Sequence, residues 1–550
     1  MATPSGGVLG RLGRLLRRQA RALPRRTRTA RALAVSVAQG EAASLLARRS
    51  GEERALELLA AATLRSPHDL ALARSRAQLL NRTGRLSEAV AEASRLAVAG
   101  PKPGNRRMQR SLQGRLVETD PGWLPAVPGS FDGGAPEPGR VLYLAKESMP
   151  HRNNGYCTRT HETLLAVRAA GRDPVAVTLP GFGSGASSVV DGIEYRHVMP
   201  GAADLFGALT AEEFVQLTTT AFARQLLALR PAVLHAGSGH RGFDLALPGL
   251  ALARWAGLPW IYEVRSFFET TWTKDARYAE GSEYYHRRFA AETRAMRAAD
   301  LVVTLSGPMR DEIVHGHGVR ESSVVVVPNA VDLDRFVPVP AAGRDPRLAG
   351  GFVLGYVSNL DHHREGQEVL LDAAARLRAS GHDVRVLLVG DGRRRAELEA
   401  RARALGLGSA TVFTGSVPFD EVPGWYAQID LFVVPRVPER AARMVSPMKP
   451  FEAMAMRVPV LLSDLPALVE IAGDDEERAF VFPASSAEGL AAKVAALMAA
   501  PEALAARVDR AEAWVRAERT WAANGKAFDR VYAQAADRAA ERLSGVGDSC

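Results

Sequence analysis

The sequence is poor in cysteine and lacks long apolar runs. Its 550 residues hold two cysteines, Cys157 and Cys550, which form neither a disulfide framework nor a zinc-binding spacing. So few cysteines suit a reducing compartment, and we therefore expect a cytoplasmic protein. No run of about 18 uncharged apolar residues occurs, so no transmembrane helix is expected. The first residues also lack the apolar centre of a secretory signal.

Acidic residues are absent from residues 1–40, which form a basic arm ahead of the first acid, Glu41. Leucines recur in this arm at helical spacing, which is typical of a segment that lies on anionic lipid at the inner face of the membrane. A solvated arm is the alternative. No aromatic residue interleaves with the arginines, so nucleic-acid binding is not expected. The arginines are Arg11, Arg14, Arg17, Arg18, Arg21, Arg25, Arg26, Arg28 and Arg31.

Residues 41–113 carry helical patterns with almost no strand signal. Gly84 and Ala89 fall where a tetratricopeptide-like helix pair requires a tight turn and a small packing residue. One or two such units cannot build a solenoid, so a plain helical appendage remains the alternative. In either case its use would be contact with another protein or dimerisation. Residues 114–139 are rich in glycine and proline and are predicted to be a linker.

Beyond the linker, short apolar runs alternate with helical patterns as far as residue 535. This alternation predicts an α/β fold with parallel sheets, and we place two domains at 140–335 and 336–535, followed by a tail at 536–550. Polar residues stand directly after several of the predicted strands. Open α/β sheets bind ligands at the carboxyl ends of their strands, so these polar residues are the candidates for a site.

The stretch from Gly415 to Glu470 carries the strongest signal of this kind. The apolar run Leu431 to Val434 reads as a buried strand that delivers Arg436 to the edge of a sheet. Pro450 then opens a helix, because its fixed φ and missing N–H are tolerated in the first turn. Lys449 and Glu452 lie in that turn, and we expect a site for phosphate there.

The motif Pro-Met-Lys-Pro-Phe-Glu-Ala-Met-Ala at 447–455 resembles the family-4 (group 1) glycosyltransferases, in the subgroup with Pro-x-Lys-Pro-x-Glu-x-Met-Ala. Pro-Asn-Ala-Val-Asp at 328–332 is similar to that family's domain junction. The resemblance implies a GT-B fold, with two Rossmann-like domains facing a cleft and the helical appendage in front. It implies a retaining, metal-independent enzyme without a cofactor. Such an enzyme moves a sugar from a nucleotide diphosphate sugar to a glycan or lipid-linked acceptor in polysaccharide synthesis.

Several residues are candidates on the donor side. Lys449 and Arg436, with Arg443, are the natural replacements for the family's diphosphate-binding cations, and the resemblance implies that Glu452 binds the ribose hydroxyls. Gly155 would let the backbone of the first loop approach the donor, and Ser358 stands in the first loop of the second domain. For Gly155 and Glu452, a turn glycine and an acid favourable to the helix dipole are the alternatives.

Two residues of the first domain complete the candidate site. His235 is expected near the donor sugar as the catalytic candidate, with a packing histidine as the alternative. Arg265 is the candidate for binding an acceptor phosphate or carboxylate, and an internal ion pair is its alternative. No metal ligand set is evident, because the adjacent His362 and His363 point in different directions and lack further ligands.

The sequence departs from the family pattern in the donor motif and in the first loop of the second domain. Met444 stands where the common motif has its first glutamate. In the first loop, Ser358 or Asn359 and Glu365 stand where much of the family has an arginine and a lysine for the diphosphate. These departures leave two other hypotheses open. One is a nucleotide-sugar epimerase on the same fold, for which no pair of cleft carboxylates is evident. The other is a non-catalytic scaffold that uses the appendage and the basic arm.

Overall fold

The computed structural model describes residues 51–545 except 67, 240, 242 and 340–342. These residues form two units. One comprises the chain up to 126 together with 204–218 and 268–294, and the other comprises 127–203, 219–267 and the chain from 295 onward. The basic arm predicted for residues 1–40 lies outside the described residues.

The first unit is helical. Its core contains aliphatic side chains from the N-terminal helices and Tyr284 from the 268–294 segment. Gly84 takes a φ of +74°, and a Cβ there would lie 2.4 Å from the Cβ of Ser282, so the turn requires glycine. Arg277 donates to Glu52 at 2.8 and 2.9 Å. Its first four helices are α1 (Glu52–Arg65), α2 (Leu70–Arg82), α3 (Leu86–Ala99) and α4 (Pro103–Glu118).

Two predicted boundaries are wrong: the helical region expected to end at residue 113 and the domain expected to end at residue 535 both continue further along the chain. Helix α4 runs to Glu118 and so overlaps the predicted linker, because Leu112 and Leu116 extend its apolar face. The last helix of the chain runs from Trp521 to Ser544 and overlaps the predicted tail, because Ala535 and Ala539 remain buried.

The second unit holds two sheets. The first sheet has the order β3-β4-β2-β1-β5-β6-β7-β8, and it is parallel except for the pairing of β3 with β4. Its strands are buried on both faces through the centre, as parallel sheets covered by helices require. The strands are β1 (Arg140–Ala145), β2 (Asp173–Thr178), β3 (Ser187–Val190), β4 (Ile193–His197), β5 (Val233–Gly237), β6 (Trp260–Glu263), β7 (Leu301–Thr304) and β8 (Val324–Val326).

The second sheet is fully parallel, with the order β11-β10-β9-β12-β13-β14. Counted from its own first strand, this is the 3-2-1-4-5-6 order of a nucleotide-binding doubly wound sheet. The predicted pair of Rossmann-like domains is therefore confirmed. The strands are β9 (Phe352–Val357), β10 (Val384–Val389), β11 (Thr411–Phe413), β12 (Leu431–Val434), β13 (Val460–Ser463) and β14 (Phe480–Phe482).

Helices connect the strands of both sheets. Two of them, Ala211–Leu229 and Glu283–Arg297, pass from the first unit into the second. The helices after α4 are α5 (Gly155–Ala169), α6 (Ala211–Leu229), α7 (Phe243–Ala256), α8 (Ala276–Ala279), α9 (Glu283–Arg297), α10 (Gly307–Asp311), α11 (Gln367–Ala379), α12 (Arg395–Ala404), α13 (Val422–Tyr426), α14 (Arg440–Met444), α15 (Lys449–Ala455), α16 (Pro466–Ala472), α17 (Ala487–Met498), α18 (Pro501–Glu518) and α19 (Trp521–Ser544).

Within the described part of the chain, no single helix has the length and apolarity to cross a membrane. Helices α17 and α18 meet that criterion only when taken together, and they are bent by 98° at their junction.

Candidate functional site

Each sheet has one crevice where the strand order reverses. In the first sheet it lies between β1 and β5, and in the second between β9 and β12. Loops from the carboxyl ends of the two sheets touch one another. A Cβ on Gly155 would lie 3.4 Å from the Cε of Met448, and Ser306 donates to the carbonyl of Met444 at 2.6 Å. The two sheets thus present their ligand-binding edges to each other.

Lys449 and Glu452 form an ion pair beside the crevice of the second sheet. The ammonium of Lys449 lies 3.1 and 3.0 Å from the two carboxylate oxygens of Glu452. The spacing of three residues puts both groups on one face of α15. Glu452 is buried and also accepts from the hydroxyl of Tyr426 at 2.9 Å. The Lys449 side chain keeps 30% of its surface exposed.

The guanidinium of Arg436 forms its ion pair and hydrogen bonds inside the protein. Its Nε and Nη2 each lie 3.2 Å from an oxygen of Glu365, and Nη1 donates to the carbonyl of Val445 at 3.0 Å. Burial alone would raise the pKa of Glu365, but Arg436 and the Tyr356 hydroxyl hold it below its ordinary value. The prediction that Arg436 binds the donor is therefore not matched by its position. The pair forms because Glu365 is brought against the end of β12.

Gly366 makes this approach possible. Its φ is +70°, and a Cβ would lie 1.8 Å from the carbonyl oxygen of Pro435. Only glycine fits such a close passage between the first loop and the end of β12. The resemblance predicts a phosphate-binding loop at this position, and here the loop brings an acid to Arg436.

The two other donor-side candidates, Ser358 and Gly155, lie at the expected edges. Ser358 follows β9, and its hydroxyl accepts from Nε2 of Gln367 at 3.0 Å. Gly155 is the first residue of α5, and the side chain of Asn154 caps this helix by accepting from the amide of Cys157 at 3.0 Å. Both residues remain donor-binding predictions.

His235 does not face the space between the sheets. Strand β5 continues to Gly237, so His235 lies within the strand and not after it. Its side chain is 0% exposed and packs among the rings of Tyr143, Phe528 and Tyr532, with Nδ1 at 3.1 Å from the Tyr532 hydroxyl. Burial lowers the pKa of His235 to about 3, so the ring is neutral. The position is that of a packing histidine, which corrects the prediction of a catalytic one.

Arg265 belongs to a buried charge cluster. Glu263, at the end of β6, accepts from Arg265 at 2.7 and 2.9 Å and from Arg159 at 2.8 Å. Arg265 also donates to Thr160 at 2.7 Å and lies 4.8 Å from the ring centre of Tyr156. With its donors occupied inside the protein, Arg265 is not placed to bind an acceptor. Its alternative, an internal ion pair, is the arrangement observed.

The same cluster explains the charge state of Glu263. Burial alone would raise its pKa, but Arg265 and Arg159 hold that pKa far below its ordinary value. Glu263 is therefore ionised, as a buried carboxylate with two guanidinium partners should be.

Sequence reasoning missed three rings at the carboxyl edge of the first sheet. His151 follows β1, Phe182 follows β2, and His197 ends β4. Their ring centres are 5.1 to 5.8 Å apart. His197 is buried and fixed by Thr178 and Ser188, each at 3.0 Å, whereas His151 is exposed. The residues are far apart in sequence, and no local motif unites them.

A second missed group lines a small pocket where the two sheets meet the chain that joins them. Glu162 of α5 and Asp332 of the junction lie there together with Arg335, Glu452 and Trp521. Burial and the nearby Asp332 raise the pKa of Glu162 to about 7. The pocket thus joins the candidate ribose-binding acid to a carboxyl group that titrates near neutral pH.

Among the residues that the structure describes, no three His, Cys, Asp or Glu side chains gather in a way that could hold a metal ion.

Comparison with known families matches both sheets. Residues 154–330 match the glycosyl transferase 4-like domain, and residues 351–500 match the glycosyl transferases group 1 family. Each of the two sheets therefore lies in a stretch that is similar to a glycosyltransferase domain.

Solved structures share this fold over most of the chain. Sucrose-phosphate synthase from Thermosynechococcus elongatus superposes with a TM-score of 0.59 at 18% identity, covering 72% of this chain and 98% of that one. Anabaena HepE, solved in complex with UDP-glucose, gives 0.53 at 16% identity, with 72% and 99% covered.

Curated relatives are sugar transferases. The chain is 30% identical over 235 residues to the 2-deoxystreptamine glucosyltransferase of Streptomyces kanamyceticus, covering 42% of this chain and 59% of that protein. It is 30% identical over 226 residues to the phosphatidyl-myo-inositol mannosyltransferase of Mycolicibacterium smegmatis, covering 41% and 54%. The chain thus spans about half the length of the curated relatives it matches.

Proposed function

We propose that the protein is a retaining, metal-independent glycosyltransferase that moves a sugar from a nucleotide diphosphate sugar to an acceptor hydroxyl in glycan synthesis. The observation that carries the proposal is the Lys449–Glu452 pair, at 3.0 and 3.1 Å, beside the crevice of a nucleotide-binding type of sheet. The sugar-transferring relatives and the UDP-glucose complex of Anabaena HepE support the same chemistry.

Lys449, whose side chain is 30% exposed, is the cation that we assign to the diphosphate, because Arg436 is paired with Glu365. A charge near the leaving phosphate stabilises the negative charge that develops as the sugar departs. Glu452 keeps the ammonium in place and offers carboxylate oxygens to the ribose hydroxyls. Ser358 and Gly155 complete the donor side of the proposal.

The transfer step breaks the bond between the anomeric carbon and the phosphate oxygen. The acceptor oxygen forms its new bond on the same face, and its proton passes to the leaving diphosphate. This route needs no protein base. It agrees with a first domain in which neither His235 nor Arg265 is placed to touch the substrate.

The test is a transfer assay over crossed panels of donors and acceptors. The donors are UDP-glucose, UDP-N-acetylglucosamine and GDP-mannose, and the acceptors are 2-deoxystreptamine, myo-inositol and phosphatidylinositol vesicles. These acceptors are chosen from the named relatives. Release of nucleotide diphosphate that depends on one acceptor is the expected result. Epimerised donor without an acceptor would support the epimerase instead, and no turnover of any donor would support the scaffold.

Peripheral membrane contact through residues 1–40 and a cytoplasmic location belong to this proposal as well. Flotation with anionic and with neutral vesicles, using the full chain and a chain without residues 1–40, tests the membrane part. Equal binding of both proteins to both vesicles would contradict it.

A further inference from the structure

Three consecutive carbonyl groups before the donor motif each accept from a side chain, two of which are buried and one of which is 12% exposed. We call residues Met444, Val445 and Ser446 the strap. The carbonyl of Met444 accepts from Ser306 at 2.6 Å, that of Val445 from Arg436 at 3.0 Å, and that of Ser446 from Asn329 at 2.7 Å.

The three donors come from different parts of the fold. Ser306 follows the end of β7 in the first sheet, Asn329 lies in the chain that joins the two sheets, and Arg436 follows β12 of the second sheet. Ser306 is 1% exposed and Asn329 is 5% exposed, so water does not readily compete for these bonds. The strap is therefore fixed from both domains at once.

Asn329 is itself fixed from the core of the first sheet. Its amide oxygen accepts from Nη1 of Arg159 at 3.0 Å, which leaves the amide nitrogen to donate to Ser446. Arg159 also donates to the carbonyls of Val327 and Pro328 at 2.8 and 3.0 Å and to Glu263 at 2.8 Å. A continuous series of buried hydrogen bonds thus runs from the charge cluster of the first sheet to the strap.

The strap ends three residues before Lys449. Pro447 follows directly after it, and its ring restricts the backbone between the strap and α15. A displacement of Ser446 would therefore be passed on to the ammonium of Lys449. The sequence departure at Met444 fits this arrangement. The segment that carries the family's first glutamate here contributes backbone carbonyls to the hydrogen bonds from Ser306, Asn329 and Arg436. We call these three hydrogen bonds the latch.

We infer that Asn329 and Ser306 are positioning residues that set the place of Lys449 and Glu452 from the first domain, and that nucleotide affinity depends on this latch although neither side chain touches the nucleotide. The inference rests on the proposed function, since it assumes that Lys449 holds a diphosphate. It deepens that proposal by making the donor site a property of both domains together.

The test uses Asn329→Asp. The carboxylate still accepts from Arg159 but can no longer donate to Ser446, and it sets an oxygen against the Ser446 carbonyl, so the variant breaks the strap side of the latch. The matched control is Asn524→Asp, which adds the same buried charge. Asn524 is 3% exposed and donates to the carbonyl of Pro328 at 2.9 Å, so it binds the same junction without touching the strap. Titration calorimetry with UDP and GDP gives the affinity, and amide hydrogen exchange reports on residues 443–456.

The expected result is a Kd raised about tenfold in Asn329→Asp, corresponding to one lost buried hydrogen bond, with faster exchange across 443–456. Asn524→Asp keeps the wild-type Kd although its melting temperature falls. Ser306→Ala weakens binding in the same direction and Ser306→Thr restores it, and this pair decides the matter if Asn329→Asp does not fold.

An unchanged Kd in both Asn329→Asp and Ser306→Ala overturns the latch. An equal loss of affinity in Asn524→Asp overturns it as well, because general loosening of the junction would then be the cause. If the wild type binds none of UDP, GDP, ADP and TDP, the proposed function fails as well. The failure of the latch alone leaves wild-type binding and its dependence on Lys449 intact.

Discussion

Arg436 binds Glu365 across the crevice of the second sheet, with two N–O distances of 3.2 Å. The two residues are 71 positions apart in the chain, and they meet because β9 and β12 are neighbours although their order in the sequence is not consecutive. In this pair Glu365, the acid of the first loop of the second domain, has a structural role. Lys449 is then the accessible cation of the motif. Substitution of Arg436 should therefore act mainly on the stability of the protein, and substitution of Lys449 mainly on its affinity for nucleotide.

Arg436→Ala should destabilise the protein more than it affects ligand binding at the site. It removes the nearer guanidinium partner of the buried Glu365 carboxylate, which keeps the Tyr356 hydroxyl and, at 3.6 Å, Arg364. Breaking a buried ion pair costs at most about 3–5 kcal/mol. Chemical denaturation of Arg436→Ala and of the double variant Arg436→Met/Glu365→Gln measures this cost. The double variant should recover part of the stability, because it no longer buries a carboxylate that has lost its nearer cation. Equal stability of the wild type and Arg436→Ala would contradict this account.

His235→Phe should lower stability without abolishing activity. The variant keeps a ring among Tyr143, Phe528 and Tyr532, but it leaves the Tyr532 hydroxyl without its partner, at a cost of about 1–3 kcal/mol. Nucleotide affinity should not change. A stable variant that binds nucleotide normally but has lost turnover would contradict the packing role and support a catalytic role for His235.

The same variant should also alter acid stability. The pKa of His235 falls from an ordinary 6.5 to about 3 on folding, so the folded state binds fewer protons than the unfolded state between these values. Its contribution to stability is present above pH 6.5 and is lost as the pH falls toward about 3. His235→Phe should therefore show a shallower loss of melting temperature on acidification. Parallel curves for the two proteins would argue against a neutral, buried imidazole.

Glu162→Gln should stabilise the protein only at neutral and alkaline pH. Burial and Asp332 raise the pKa of Glu162 from 4.5 to about 7, so folding takes up a proton between these values. Stability due to this residue thus falls as the pH rises from 4.5 to about 7, and the glutamine variant avoids that loss. Its melting temperature should exceed that of the wild type at about pH 8 and match it near pH 4.5. The same difference at both values would contradict the raised pKa.

His151→Ala should weaken acceptor use and leave donor binding intact. The exposed imidazole stands on the ring cluster with Phe182 and His197, at the edge of the first sheet where an acceptor would enter. Steady-state kinetics should show a higher KM for the acceptor and an unchanged KM for the donor. His315→Ala, a second exposed histidine in the same unit, is the control. A rise in the KM for the donor instead would show that His151 contributes to donor binding, which contradicts the prediction.

Much of the fold could be predicted from the sequence, because buried parallel strands appear as short apolar runs between helical patterns. The Lys449–Glu452 pair also follows from the local spacing of three residues. The position of His235 could not be predicted. Strand β5 continues for two residues after His235, and the sequence does not show where the strand ends. The ion pair between Arg436 and Glu365 depends on the strand order and not on any local sequence pattern.

The extent of the helical unit was also out of reach of the sequence. Arg277 and Glu52 form one of its ion pairs although they are 225 positions apart. Nothing in residues 204–218 or 268–294 marks them as part of that unit, because each segment reads as a connection between strands of the first sheet. A tetratricopeptide-like character of the helices stays a prediction.

The most direct test of the central claim is a calorimetric titration of UDP, GDP, ADP and TDP into the wild type, Lys449→Ala and Lys493→Ala. Lys493 is a matched control, since it is also 30% exposed and also pairs with a glutamate, Glu476, at 2.9 Å. We predict that the wild type and Lys493→Ala bind one nucleotide with equal affinity, and that Lys449→Ala binds it about 10- to 100-fold more weakly. No binding of any nucleotide to the wild type, or equal binding by all three proteins, would contradict the donor site proposed at Lys449.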